Sequence, residues 1–175
     1  IGPASKQQRP NPEGTQERLR WTMDGNMHGP VSACPVFARN IASRGGKSGD
    51  NFSIVNVCSV TSFMALSEVT TYACSKGALL ALTRQLAVEW TRLGIRTNAV
   101  APGFVPADQN RKILQSGDRG KRILQNTPME RFGTPEEIAG AAVYLCSDAG
   151  RFVNGECVKI DGGFMVNGVS DACPA

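Results

Sequence analysis

The chain has 175 residues, a formal charge of +4, 41% hydrophobic residues and 19% charged ones. That is enough for one domain with a real core and too little for two, and it is too apolar for a disordered chain. A single histidine (His28) and the lack of any C-x-x-C among six cysteines argue against a metal site, and no apolar run reaches the ~18 residues of a membrane span.

Residues 1–20 are polar and rich in Gly and Pro, and read as a loop or arm. From Trp21 to Ser43 the spacing of Val31, Phe37, Ala38 and Ile41 predicts a helix, ended by the glycines of 44–50. Phe52–Val57 is short and nearly continuously apolar, the pattern of a parallel strand buried on both faces. Thr70–Leu93 is the strongest helix, with Leu79, Leu82, Leu86 and Trp90 in one stripe and Gly94 as its stop. Ile95–Ala101 reads as a second strand, ended by Pro102-Gly103. Residues 104–131 are polar and irregularly helical. Their basic side chains have no aromatics between them, which speaks against nucleic acid. Thr134-Pro135-Glu136-Glu137 is a capping box opening a helix to about Cys146, and Cys157–Ile160 is a third strand, closed by Asp161-Gly162-Gly163. The alternation predicts an α/β fold with about three parallel strands flanked by helices. Ligands are expected just past the strand ends, at Ser59, Pro102-Gly103 and Asp161-Gly162-Gly163.

Tyr72-Ala73-Cys74-Ser75-Lys76 is a Y-x-x-x-K, just over one helical turn, so both side chains share a face. A free phenol, with a pKa of about 10, is a poor base at neutral pH, and a cation held nearby lowers that value. A tyrosine so placed can pass a proton to or from an alcohol while a hydride moves elsewhere. Ser59, thirteen residues earlier and just after a strand, is suited to polarise a carbonyl oxygen.

Taken together, I-V-N-V-C-S at 54–59, Y-A-C-S-K-G-A-L at 72–79, G-I-R-T-N-A-V-A-P-G at 94–103 and D-G-G-F at 161–164 resemble the short-chain dehydrogenases/reductases. The resemblance runs in register over about 21–168, leaving 169–175 as a tail. It implies the C-terminal half of a Rossmann-type doubly wound sheet. It also implies an oxidoreductase that uses NAD or NADP to interconvert a secondary alcohol and a ketone. In that family Tyr72 would be the general acid/base, Lys76 would lower its pKa and hold the nicotinamide ribose, and Ser59 would orient the substrate. Asn26 would hold a proton-relay water, and Pro102, Gly103 and Val105 would approach the nicotinamide carboxamide. Ala107 stands where the family usually has threonine, so one hydroxyl contact to the cofactor is lost.

No G-x-x-x-G-x-G occurs in the chain, nor an N-A-G after a strand. The expectation is that the N-terminal βαβ units are missing. The chain alone would then bind NAD(P) weakly and oxidise nothing, serving at most as a binding or oligomerisation module. The stretches 102–114 and 126–138 are similar to the sugar-acid branch, such as mannonate (fructuronate) oxidoreductases and gluconate dehydrogenases. Gln109, Asn110 and Arg111 would then contact substrate. A reduced, cytoplasmic homo-oligomer, dimer or tetramer, without metal or membrane partner, completes the expectation.

Overall fold

The computed structural model describes residues 15–108, 110, 111, 114 and 117–168. Helix α1 (Thr15–Met23) starts inside the stretch read as an arm. It runs through one π turn (Asp24–His28) into α2 (Gly29–Ser43) without leaving helical geometry. Pro30 has no N–H to give the Asn26 carbonyl, and the Gly29 N–H reaches the Asp24 carbonyl instead, five residues back. The buried face of α2 is Cys34, Ala38 and Ile41. Val31 and Phe37, expected on that face, are 40% and 37% exposed. Cys34 falls on the i, i+4, i+7 row, and Val31 and Phe37 lie to either side of it.

The sheet holds β1 (Phe52–Val57), β2 (Ile95–Pro102) and β3 (Cys157–Ile160), in that spatial order and all parallel. Val57 pairs with Val100 and Ala99 with Cys157. Central β2 is buried over nearly its whole length, as a strand covered on both faces must be. The two-sided burial expected of β1 is not found: most of the strand is half-buried and Val57 is 46% exposed, because β1 lies at the sheet's edge.

Helix α3 (Thr70–Glu89) connects β1 to β2. It gives way to a 3₁₀ turn at Thr91–Leu93, earlier than the hydrophobic stripe suggested. Gly94 follows at φ 72°, where a Cβ would sit 2.5 Å from the Lys47 carbonyl oxygen, so no other residue fits this corner. Between β2 and β3 come α4 (Asp118–Gln125) and α5 (Pro135–Cys146). Leu79 and Leu80 of α3 pack on Cys58, Ala99, Ala101 and Cys157, while Ala38 and Ile41 of α2 pack on Ile95. Odd-numbered β2 residues face α2 and α3. The other sheet face carries Arg96 and Asn98, which donate to the Gly150 and Val153 carbonyls beyond α5. Helices therefore cover both faces, and the three C-terminal strand ends open toward one rim.

Candidate active site

The rim beyond β1 is built by a 3₁₀ turn, Val60–Ser62, for which Ser59 is the N-cap. Ser59 Oγ accepts the Thr61 N–H at 3.2 Å, and Ser62 returns the bond by accepting the Ser59 N–H. Ser62 Oγ also donates to the Lys76 carbonyl at 2.8 Å, tying this turn to α3. Ser59 is thus held at one orientation, 7% exposed, with its hydroxyl close enough to the Tyr72 phenol to draw its pKa down. The structure brings Ser59, Tyr72 and Lys76 together.

Lys76 is 4% exposed, its Nζ lying 5.7 Å from the Tyr72 ring centre and donating to the Val57 carbonyl at 2.7 Å. Burial lowers its pKa, and the neighbouring Cys58 thiol works against that. Tyr72 departs from the expectation. Burial pushes its phenol above the ordinary range, the Ser59 hydrogen bond pulls it back only in part, and Cys58 adds to the rise. The lysine charge lies beside the ring and is turned to a carbonyl, so desolvation wins over it.

Asn26 lies in the π turn, 5% exposed, and its Nδ2 donates to Ser75 Oγ at 3.0 Å. Ser75 in turn donates to the Tyr72 carbonyl at 2.7 Å. Asn26 therefore reaches the Tyr72–Lys76 turn of α3 through a side chain the motif did not single out. π turns of this kind recur at functional sites.

Pro102 closes β2 and the Gly103 N–H bonds the Ile160 carbonyl at 2.8 Å. A Cβ at Gly103 would lie 2.7 Å from Asp161 Cα, so the two strand ends touch only because this residue is glycine. Asp161 caps its own turn by accepting the Gly163 and Met165 N–H groups. The Val105 carbonyl accepts Asn110 Nδ2 at 3.0 Å, and Asn110 Oδ1 accepts the Ala107 N–H at 2.7 Å. Both ends of the Asn110 amide thus brace the loop. Arg111 is exposed and sits 3.8 Å from Asp108. Neither residue lines the cleft described next, and Gln109 lies outside the described residues.

That cleft, of about 390 Å³, opens past the strand ends. Leu66, Ser67 and Glu68 wall it from the β1 side and Phe104 and Phe164 from the ends of β2 and β3. Asp118, Arg119, Arg122, Ile123 and Asn126 cover it from α4 and its C-terminal end. The two phenylalanine rings meet edge to face at 5.0 Å. The α4 residues escaped the sequence reading because an i, i+3/i+4 row of polar residues is the ordinary pattern of a solvated helix face.

Whether a nicotinamide nucleotide suits these residues can be judged from Lys76. An ammonium has three donors, and among the described residues only the Val57 carbonyl takes one. A buried cation with two free N–H groups beside a tyrosine fits the vicinal hydroxyls of a ribose.

Residues 1–165 match the family model described as Enoyl-(Acyl carrier protein) reductase. The chain is 36% identical over 142 residues to the 2-dehydro-3-deoxy-D-gluconate 5-dehydrogenase of Dickeya dadantii, covering 81% of this chain and 56% of that protein. It is 39% identical over 120 residues to a tropinone reductase homolog of Arabidopsis thaliana, covering 69% and 46%. Among solved structures, a gluconate 5-dehydrogenase from Burkholderia cenocepacia in complex with NADP and tartrate superposes with a TM-score of 0.80 at 33% identity, covering 86% of this chain and 57% of that one. The chain spans about half the length of the curated relatives it matches.

Proposed function

The chain belongs to the short-chain dehydrogenases/reductases, and on that footing we propose that it carries the proton-transfer and substrate-holding part of an NAD(P)-dependent oxidoreductase acting on a sugar acid. The observation that carries the reading is the Ser59–Tyr72–Lys76 cluster, with Ser59 and Lys76 buried and Tyr72 half-buried, at the C-terminal rim of a parallel sheet. Of the two types that the 102–114 and 126–138 stretches resemble, the relatives favour gluconate-type acids over the mannonate or fructuronate type.

The nicotinamide group, when bound, accepts or supplies the hydride. Lys76 would hold its ribose through the two free N–H groups, and the Pro102–Val105 backbone would face its carboxamide. Ser59, fixed by the Thr61 N–H, presents its hydroxyl to the substrate oxygen and stabilises the charge that develops there. Tyr72 gives its phenolic proton to that oxygen in the reduction direction and takes it back in oxidation. With its pKa raised, Tyr72 is protonated at neutral pH in the resting protein and ready to act as the acid. Asn26 and Ser75 hold the Tyr72–Lys76 turn against α1–α2.

In the whole protein, Tyr72→Phe is expected to cut kcat for gluconate oxidation by about 100-fold or more while the substrate still binds, the usual size of a general acid/base loss. Turnover at the parent rate in this variant would remove Tyr72 from the mechanism and with it the proposed reaction.

A further inference from the structure

Relatives with 36% and 39% identity carry the names of different substrates, so overall similarity does not choose the substrate. The cleft does. Arg119 and Arg122 lie three residues apart on the face of α4 that covers it. Arg119 is occupied: its guanidinium pairs with Glu68 at 3.4 Å and donates to the Ser67 carbonyl at 3.1 Å. That clamp holds Glu68 at φ 66°, a backbone region a glutamate enters only under constraint. Asn126 is occupied as well, donating to the Arg122 carbonyl at 2.8 Å. The Arg122 guanidinium has no hydrogen bond or ion pair among the described residues. Asp118, four residues earlier on the same helix, forms none with it.

An unengaged guanidinium over a cleft is a fork of five N–H donors shaped for a carboxylate. The floor beneath it, Phe104 against Phe164, offers aromatic faces and edges to the C–H groups of a carbon chain and no charge to compete for the acid. Neither Ser59 nor Tyr72 lines this cleft. A molecule whose acid group lies under α4 must therefore extend out of it to bring its carbinol to Tyr72. We propose that Arg122 is the carboxylate anchor of the substrate cleft, selecting polyhydroxy acids whose acid group is separated by several carbons from the carbinol that reacts. This rests on the oxidoreductase reading above and adds to it the residue that sets specificity.

The test compares gluconate with glucitol, its neutral counterpart of equal length, by NMR titration of the protein without nucleotide. Gluconate is expected to bind at least ~10-fold tighter than glucitol. Arg122→Gln should weaken gluconate by about 10-fold or more and leave glucitol unchanged, and Arg122→Lys should fall between. Lys121→Gln, which removes the same charge from a neighbouring position outside the cleft, should change neither by more than about twofold. Equal binding of the two ligands, an Arg122→Gln variant that binds gluconate like the parent, or a Lys121→Gln variant equally weakened would each overturn the assignment. Steady-state oxidation by the whole protein separates this from the broader reading. Arg122-dependent binding with no nucleotide-dependent turnover sinks the proposed reaction and leaves the anchor standing. Turnover with KM for gluconate unmoved by Arg122→Gln does the reverse.

Discussion

A phenol asked to move a proton near neutral pH is served by anything that stabilises its anion, and at Tyr72 the surroundings are divided. Burial raises the pKa, the Ser59 hydroxyl lowers it, and the Cys58 thiol raises it. Two expectations follow for the protein without nucleotide. The Tyr72 phenolate, read as the absorbance difference between parent and Tyr72→Phe during alkaline titration, should form only above the ordinary phenol value of about 10. Ser59→Ala should move it higher still, because it removes the one partner that favours the anion. A downward shift in Ser59→Ala would mean that the hydroxyl is not the partner described. Lys76 Nζ lies over the Tyr72 ring, 5.7 Å from its centre, and donates to the Val57 carbonyl. That Ser59, Tyr72 and Lys76 would lie together was legible from their spacing taken with the family resemblance. That Asn26 bonds Ser75, and that Arg122 and not Arg111 lines the cleft, was not, since a helix face shows its neighbours only once the helices are packed.

Helix α5 shows how much local chemistry can state. Thr134 accepts the Glu137 N–H at 3.4 Å and Glu137 accepts the Thr134 N–H at 2.9 Å, the box read from T-P-E-E. Arg131 adds two bonds to the same carboxylate, at 2.6 and 3.0 Å. Glu137 is thereby held down at a pKa of about 2, first by Arg131 and then by the Thr134 N–H. Thr134→Ala should lower stability by about 1 kcal/mol in urea unfolding, the usual cost of an N-cap. The pH dependence has a definite sign. A carboxylate with a depressed folded pKa stabilises the fold fully above its ordinary value of 4.5, and that help disappears as pH falls through about 2. Glu137→Gln should flatten acid unfolding in that window, and an unchanged acid limb would show that the pair is not formed in solution. The π turn was not legible in the same way, since it is a competition between Pro30 and the α-helical bond that only the continuous α1–α2 helix makes visible.

Two expectations concern the protein as one body. The chain contains no G-x-x-x-G-x-G turn, so contacts to a dinucleotide should come mainly from its nicotinamide end, through Tyr72, Lys76 and the 102–105 backbone. For the 175-residue chain, NAD should then bind no more than about 10-fold tighter than nicotinamide mononucleotide. A dissociation constant for NAD below about 50 micromolar in calorimetry, against a much weaker mononucleotide, would show a pyrophosphate site built by other means. The second expectation is self-association. Trp21, Val36 and Phe37 are 55%, 57% and 37% exposed along α1 and α2, more apolar surface on one pair of helices than water tolerates well. Sedimentation at tens of micromolar (on the order of ordinary working concentration) should show an oligomer that Phe37→Lys weakens. A clean monomer would count against it.

Periodicity and turn chemistry were enough to place β3 and both ends of β1, the Gly94 corner, the capping box of α5 and the parallel α/β plan, because those features are settled by residues close in the chain. Burial and charge were not. β1 reads as doubly covered from its apolar run yet is half-exposed, because coverage depends on which strand stands beside it. Tyr72 reads as acidified by Lys76 yet is raised, because desolvation is a property of everything packed around the ring. Arg122 reads as one basic residue among the six between Asp108 and Arg131, and stands over a cleft, without a hydrogen bond or ion pair among the described residues, only where α4 meets the ends of the strands.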